Sequence, residues 1–191
     1  DCYMDVVKDG GNAEICDNIV GIHFKEECLR IVAVNQKDIS VCKSITDNKT
    51  KAYCHESIAE VTKDDDICPT IEDYGWSQTC YKKLALITDD YTLCSEIYNK
   101  EDREECYMGV AENTGDYELC VFLSEKEKIN SCLWTIAKST QNPKICESWI
   151  TATTTDKINK DLCYKNLAYH MNDPSVCDSI VGETLRDECK E

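Results

Sequence analysis

Cys80-Tyr81-Lys82-Lys83-Leu84-Ala85, followed by Asp90, Cys94-Ser95-Glu96-Ile97 and Cys106, is the stretch of sequence that decides the fold. An apolar residue and an alanine stand four and five positions after the first cysteine. An aspartate follows at ten positions and a second cysteine at fourteen. Twelve residues later, Cys106 begins the same series again, so the stretch defines a 26-residue unit.

The cysteine spacing shows that this unit repeats through the whole chain. Gaps between consecutive cysteines alternate between 14 and 12 residues, with one exception of 17 between Cys146 and Cys163. Self-similarity at a fixed period of about 20–50 residues indicates a repeat architecture, in which each unit packs on its neighbours. We therefore predict a single continuous array over residues 1–191, with a five-residue insertion between Cys146 and Cys163.

The first half of each unit has the pattern of an amphipathic helix, called helix A, which carries Cys28, Cys54, Cys80 and their equivalents. Apolar residues four and five positions after the cysteine lie on the same helical face as the cysteine. Alanine at the second of these positions predicts close approach to a neighbouring helix. The apolar residues are Val6, Val32, Ile58, Leu84, Val110, Ile136 and Leu167, and the alanines are Ala33, Ala59, Ala85, Ala111, Ala137 and Ala168.

A second, shorter helix, called helix B, is predicted to begin ten residues after each A cysteine. Asp or Asn stands there, and these residue types accept hydrogen bonds from the free amides of a helix start. The seven are Asn12, Asp38, Asp64, Asp90, Asp116, Asn142 and Asp173. The expected fold is all-α, an α-solenoid of about seven 26-residue antiparallel helical hairpins stapled by regularly spaced disulfides.

Two sequential cysteine pairings are open, and the positions of the turns favour one of them. The connection from helix B to the next helix A lies near the middle of the 12-residue gap, so its flanking cysteines face each other. The connection from A to B is placed asymmetrically between its cysteines. We predict Cys16–Cys28, Cys42–Cys54, Cys68–Cys80, Cys94–Cys106, Cys120–Cys132, Cys146–Cys163 and Cys177–Cys189. The alternative joins each helix A to its own helix B and leaves Cys189 over.

The odd cysteine is Cys2, which has no partner within the chain under the favoured pairing. It is free, forms a symmetric dimer, joins another molecule, or pairs with a residue upstream of Asp1. The sequence opens in the middle of a helix A, and we expect a native upstream segment. It also closes on a partial helix A, at Cys189, so that one subunit's start could complete another's end.

The amino-acid composition indicates the cellular compartment and excludes some classes of binding partner. The formal charge of −16 and the pI of about 4.6 disfavour nucleic-acid binding, because such a surface repels phosphate. The 15 cysteines contain no Cys-x-x-Cys pair and are evenly spread, so the spacing of zinc, haem and iron–sulfur sites is absent. Structural disulfides in an extracellular or cell-surface environment are the expectation. No apolar run is long enough for a membrane span, and no signal peptide is visible.

Candidate catalytic and ligand residues are few, and we expect no enzyme activity, no cofactor and no metal. His23, His55 and His170 occupy unrelated repeat positions. Paired carboxylates, for example Asp64-Asp65-Asp66 and Glu104-Glu105, are interpreted as caps and solvated faces. Tyr81, Tyr107 and Tyr164 follow their A cysteines and exchange with leucine, which favours packing between repeats. Asn48-Lys49-Thr50 is a possible glycosylation site on a B-to-A connection.

The construction resembles that of secreted cysteine-rich helical repeats of the Sel1/tetratricopeptide-like kind, in which disulfides staple helical hairpins. Repeats of the form Asp-x-x-x-Cys-x-x-Ile, like Asp116 to Leu123, also resemble uncharacterised extracellular archaeal and bacterial proteins. The period of 26 is shorter than that of the Sel1-like families. The resemblance implies a scaffold and assigns no functional residue.

Two functions are expected from these observations. The first is a non-enzymatic extracellular structural protein, a self-assembling fibre or cell-surface component that associates end to end. The second is a secreted binding scaffold for a protein, peptide or glycan. The exposure of the tryptophans discriminates between the two functions. Exposure of Trp76, Trp134 and Trp149 on one face favours the binding scaffold, and their burial favours the structural protein.

Overall fold

The computed structural model describes residues 12–148 and 154–191, and for residues 154–159 it describes the backbone alone. In these ranges the secondary structure is entirely helical, without a β-strand. Repeated helical hairpins with regularly spaced disulfides give the all-α solenoid class that the sequence predicts. The chain divides into two compact units, Asp1–Asn99 and Lys100–Glu191. The single continuous array over residues 1–191 stays a prediction.

Helix A is an α-helix in every described repeat. The A helices of the first unit are Ile22–Gln36 (α1), Asn48–Thr62 (α2) and Tyr74–Thr88 (α3). Those of the second unit are Lys100–Thr114 (α4), Lys126–Thr140 (α5), Thr154–Met171 (α6) and Glu183–Lys190 (α7). Within each unit, consecutive A helices pack against one another. This packing places the same face of successive repeats side by side.

The apolar residues four and five positions after each A cysteine form the core, as predicted. Leu84 is 1% exposed and Ala85 is 0% exposed, and their equivalents in the other described repeats are buried in the same way. An alanine at the second position lets the backbones of neighbouring helices approach closely. Each repeat therefore contributes a thin layer to a core that only the neighbouring repeats complete.

Helix B is a six-residue 3₁₀-helix in most repeats rather than a short α-helix. Its ranges are Ala13–Asn18, Asp65–Thr70, Tyr91–Glu96, Tyr117–Phe122, Pro143–Ser148 and Pro174–Ser179, while Ile39–Cys42 is a single α-turn. Tighter i to i+3 hydrogen bonds suit so short an element. The predicted caps are confirmed in the repeats where the aspartate or asparagine side chain accepts from the amide two residues on, as Asp90 does from Thr92. Asn12 makes no such bond.

Helices α1 to α6 each end on a residue in the left-handed conformation, nine positions after the A cysteine. Glycine suits this conformation best, yet only Gly115 (φ 73°) supplies it. The other residues with positive φ at this position are Lys37, Lys63, Asp89, Gln141 and Asn172. The next residue then caps helix B, so one strained residue joins the two helices of a hairpin.

The five-residue insertion lengthens one helix A. α6 begins nine residues before Cys163, whereas α1 to α5 begin six residues before their cysteines. Residues 154–156 of the threonine-rich insertion thus belong to this helix. The rest of the threonine-rich segment and Trp149 lie outside the described residues.

Candidate functional site

Six disulfides of the described residues each join a helix B to the following helix A. The Cα–Cα distances lie between 5.5 and 5.9 Å, and the bonded pairs in the described residues are Cys16–Cys28, Cys42–Cys54, Cys68–Cys80, Cys120–Cys132, Cys146–Cys163 and Cys177–Cys189. The pair with 17-residue separation has the same Cα–Cα distance, 5.8 Å, as several pairs with 12. The longer connection between Cys146 and Cys163 therefore leaves the Cα–Cα distance of this disulfide unchanged.

Two further cysteines belong to this pattern. Cys94 and Cys106 are both disulfide-bonded, and their pairing with each other stays a prediction. Cys2 lies outside the described residues. The bonded cysteines of the described repeats are buried, most of them completely, so the sulfurs serve as core as well as covalent links.

The three histidines have different environments. His23 and His170 are exposed, whereas His55 is buried in the first unit. His55 directly follows its A cysteine, which is the position of Leu29, Tyr107 and Tyr164. Its place in this series was missed in the sequence, where the histidine positions looked unrelated. Among the described residues, no group of three or more His, Cys, Asp or Glu side chains could hold a metal ion.

In four described repeats an acidic or amide side chain two residues before the A cysteine, at position −2, hydrogen-bonds to the connection that follows; Glu26, Glu104 and Asp161 are buried, and Gln78 is half-buried. Glu26 accepts from the amides of Thr46 and Asp47, at 2.7 and 3.0 Å. Asp161 accepts from the amides of Val181 and Gly182, both at 3.0 Å. Gln78 accepts from the amide of Tyr98, and Glu104 accepts from that of Ser124 at 3.0 Å. The bond spans 20 residues each time and fixes the start of the next helix A.

Glu104 shows the electrostatics of this position most clearly. Lys128 Nζ lies 2.7 Å from its Oε2, and the carboxylate is 4% exposed. The hydrogen bonds from Lys128 and then Ser124 lower the pKa of Glu104 to about 2. The interpretation of Glu104-Glu105 as a solvated pair is therefore wrong for Glu104, because the connection of the next repeat folds over it. The pKa of Glu26 is lowered too, first by the hydrogen bond from the Thr46 side chain.

Another buried carboxylate, that of Glu56 in α2, has a different environment. It is 0% exposed, and apart from an ion pair with Lys83 its oxygens have no hydrogen-bond partner in the described residues. Lys83 Nζ lies 3.2 Å from its Oε1 and 2.9 Å from Oε1 of Glu60. Burial raises the pKa of Glu56. Burial therefore disfavours the ionised form of Glu56, and the contact with Lys83 opposes this effect.

The A helices of the first unit present a continuous row of an arginine and two aromatic residues, the Arg30–Tyr53–Trp76 strip. The Arg30 guanidinium lies 4.8 Å from the centroid of the Tyr53 ring, and Tyr53 lies 5.9 Å from Trp76 at an interplanar angle of 53°. Glu27 accepts two hydrogen bonds from Arg30 and holds its orientation. One residue from each of three successive helices thus forms the row.

The strip borders an open cavity and remains accessible. Tyr53 is 41% exposed, and Trp76 is half-buried against the core. Together with Glu27, Lys49 and Thr50 they line a cavity of about 400 Å³. A surface with half-exposed aromatic rings beside charged groups can bind a partner.

The second unit has a comparable groove between α5 and α6. Trp134 is half-buried and lines it together with Leu162 and Asn166, and the volume is about 420 Å³. Trp76 and Trp134, whose exposure was expected to separate a binding scaffold from a structural protein, are thus both half-buried.

The possible glycosylation residue Asn48 lies at the first position of α2, not in the preceding connection. Asp47 caps this helix by accepting from the Thr50 amide, which starts the helix earlier than the sequence suggested. Asn48 is exposed.

Comparison of the chain with protein-family models, with curated proteins and with solved structures finds no match. In the described residues, no helix is long and apolar enough to cross a membrane.

Proposed function

We propose that this chain is a non-enzymatic, secreted repeat scaffold that binds a protein partner through the Arg30–Tyr53–Trp76 strip. The observation that carries the proposal is the strip itself, an arginine and two aromatic rings in contact across three successive helices. Tryptophan, tyrosine and arginine are the residues most enriched among binding hot spots. The disulfides fit an oxidising extracellular environment.

Rigidity supports this proposal. Cys28, Cys54 and Cys80 staple the three helices that carry the strip, and all three are fully buried. A surface held in its bound geometry loses little conformational entropy on association. The charge of −16 would accelerate association with a basic partner at low salt.

The test compares affinity capture from the native extracellular fluid by three purified proteins. We expect the wild type to retain a partner that the double variant Tyr53→Ser/Trp76→Ser loses by at least tenfold. Tyr74→Ser is the control, because Tyr74 is also on α3 and is 58% exposed. Equal retention by the wild type and the double variant would reject the strip as the binding surface.

Self-association is the second candidate, and exposed apolar side chains favour it. Val20 is 94% and Phe24 is 71% exposed in the first unit, and Val181 is 78% exposed in the second. Exposed apolar groups of this kind occur at protein–protein contacts. Light scattering separates the two functions. A fibre or surface-layer role predicts that the natural protein forms polymers and that the double variant Val20→Ser/Phe24→Ser does not. A monodisperse monomer in the natural material excludes that role. The same material shows by peptide mass spectrometry whether Asn48 carries a glycan.

A further inference from the structure

The junction between α2 and α3 depends on non-covalent contacts. The disulfide Cys42–Cys54 joins α2 to the helix B before it, and Cys68–Cys80 joins α3 to the helix B of residues 65–70. Only the short connection of residues 63–64 links α2 covalently to this second disulfide-bonded pair. Helices that are packed without a cross-link can separate locally at a lower free energy than global unfolding requires.

This junction lacks a hydrogen bond that other junctions have. From position −2, Glu26 in α1 binds the amides at the start of α2, and Glu104 in α4 binds the connection before α5. Ala52 occupies position −2 in α2, and its methyl side chain neither donates nor accepts a hydrogen bond. The contact between α2 and α3 therefore relies on the other side chains that cross the junction.

His55 is one of these side chains, and one of its ring nitrogens is unsatisfied. The residue is 8% exposed, and its Nδ1 lies 3.0 Å from Oγ1 of Thr70 at the end of helix B. The Thr70 hydroxyl donates to the Ile67 carbonyl at 2.7 Å, so it accepts from the Nδ1–H group. Nε2 is then unprotonated, and it is buried without a hydrogen-bond partner in the described residues. A proton at Nε2 would create a buried cation whose N–H group has no acceptor.

The surroundings of His55 disfavour its protonation. Burial is the main cause that lowers its pKa, followed by the charge of Lys51 on the same helix, and Lys43 adds to this effect while Glu72 opposes it. Asp73 lines the same cavity as His55, and its carboxylate is engaged as the cap of α3. The pKa of His55 falls below its ordinary 6.5. The stability that the neutral ring contributes is therefore complete above about pH 6.5 and is lost as the pH falls through the folded-state pKa.

The other ionisable groups at the junction are acids. Burial raises the pKa of Glu56, and the contact with Lys83 on α3 opposes this effect. Protonation of Glu56 removes a buried charge, so it favours the closed junction in acid, which is the opposite of the effect of His55. Asp65 and Asp66 on helix B are exposed. Comparison of the wild type with a variant that differs only at His55 cancels the contributions of these acids.

We propose that the junction between α2 and α3 is an acid-sensitive joint with His55 as its sensor. A proton taken up from solvent at Nε2 disrupts the packing of His55 against Thr70, and the disulfide-bonded pair of helix B and α3 separates from α2. The Arg30–Tyr53–Trp76 strip crosses this junction, because Trp76 lies on α3 and the other two residues precede it. Opening therefore separates Tyr53 from Trp76. Release of a partner in acid rests on the proposed function, whereas the opening itself does not.

The test compares the wild type with His55→Leu by NMR between pH 7.5 and pH 5. Leucine suits this position, because Leu29 and Leu133 occupy it in other repeats and are buried there. We expect the hydrogen-exchange protection factors of residues 48–70 to fall at least fivefold in the wild type, and the contacts between the Tyr53 and Trp76 rings to weaken. In His55→Leu the protection factors should stay within twofold of their values at pH 7.5. No partner is present, so the result is independent of whether the strip binds one.

A second variant keeps the imidazole and changes only its surroundings. Lys51→Met removes a charge that opposes the protonation of His55, so the acid-induced loss of protection should be smaller than in the wild type. Lys144→Met is the control for net charge, because Lys144 is exposed in the second unit.

The histidine rings give a direct check. The His55 ring should titrate at a lower pH than the rings of His23 and His170, which are exposed. Titration of all three rings together, or an equal loss of protection in the wild type and His55→Leu, would overturn the proposal.

Discussion

Lys128 Nζ lies 2.7 Å from Glu104 Oε2, and the pair joins helix α4 to helix α5 at a carboxylate that is 4% exposed. The same carboxylate accepts from the Ser124 amide at the start of the connection. One buried side chain thus ties together two consecutive repeats beside the disulfide that already links them.

Replacing Glu104 by alanine should destabilise the second unit. The change leaves the Ser124 amide without its acceptor and Lys128 with only its weaker partner, Glu125 at 3.5 Å, and losing the acceptor of a buried donor costs about 1–3 kcal/mol. The free energy of unfolding from urea titration measures the effect. Glu112→Ala is the matched control, since Glu112 is exposed on the same helix. An equal loss in both variants would contradict the role of the buried bond.

Acid should weaken the protein through the same residue. The pKa of Glu104 falls from an ordinary 4.5 to about 2 in the folded chain, because Lys128 and Ser124 hydrogen-bond to the ionised form. Its contribution to stability is complete above about pH 4.5 and is lost as the pH falls toward 2. Urea midpoints of the wild type should therefore drop across this range more steeply than those of Glu104→Gln. Parallel curves would show that Glu104 does not titrate in this way.

Glu56→Met should stabilise the first unit at neutral pH. Burial raises the pKa of Glu56 above its ordinary value, so the ionised form is a cost that disappears as the pH falls through the folded-state pKa. Methionine has a similar length without a charge, and Lys83 keeps its contact with Glu60. We expect Glu56→Met to raise the free energy of unfolding by about 1 kcal/mol at pH 7, and by less at acidic pH. Thermal unfolding at two pH values measures it, and a loss at pH 7 would mean that the Lys83 contact outweighs burial.

The left-handed residue at the end of helix A offers a stabilising substitution. Lys63 adopts φ 57° at the end of α2, where glycine has no steric cost. Lys63→Gly should raise the free energy of unfolding by about 0.5–1 kcal/mol. Gly115→Ala is the converse, because its Cβ would lie 3.1 Å from Thr140 Cγ2 at φ 73°. Gly115→Ala should lower the free energy of unfolding in the same assay. A change of the same sign in both variants would contradict the prediction.

The disulfide pattern makes a prediction for the whole chain. Non-reducing peptide mass spectrometry should recover the six pairs of the described residues, together with Cys94–Cys106, and should reveal the state of Cys2. Removing one staple by Cys42→Ser/Cys54→Ser should cost about 3 kcal/mol, the loop-closure value for a loop of this size. Recovery of peptides that join Cys28 to Cys42 would instead support the alternative pairing.

The sequence by itself determined the local and periodic features of this protein. Cysteine spacing set the 26-residue unit, and Leu84 and Ala85 with their equivalents identified the buried face of helix A. Asp90 and its equivalents marked the start of helix B. These features depend on residues within a few positions of one another, where helical geometry alone dictates which side chains share a face.

Only the tertiary structure decided which side chains meet across repeats. From the sequence, Glu104 is interpreted as a solvated acid, but the connection 20 residues later folds over it. The row from Arg30 to Trp76 likewise exists only after three helices stack. Such contacts depend on the course of each connection and on the packing of neighbouring helices, which a 26-residue spacing alone does not specify.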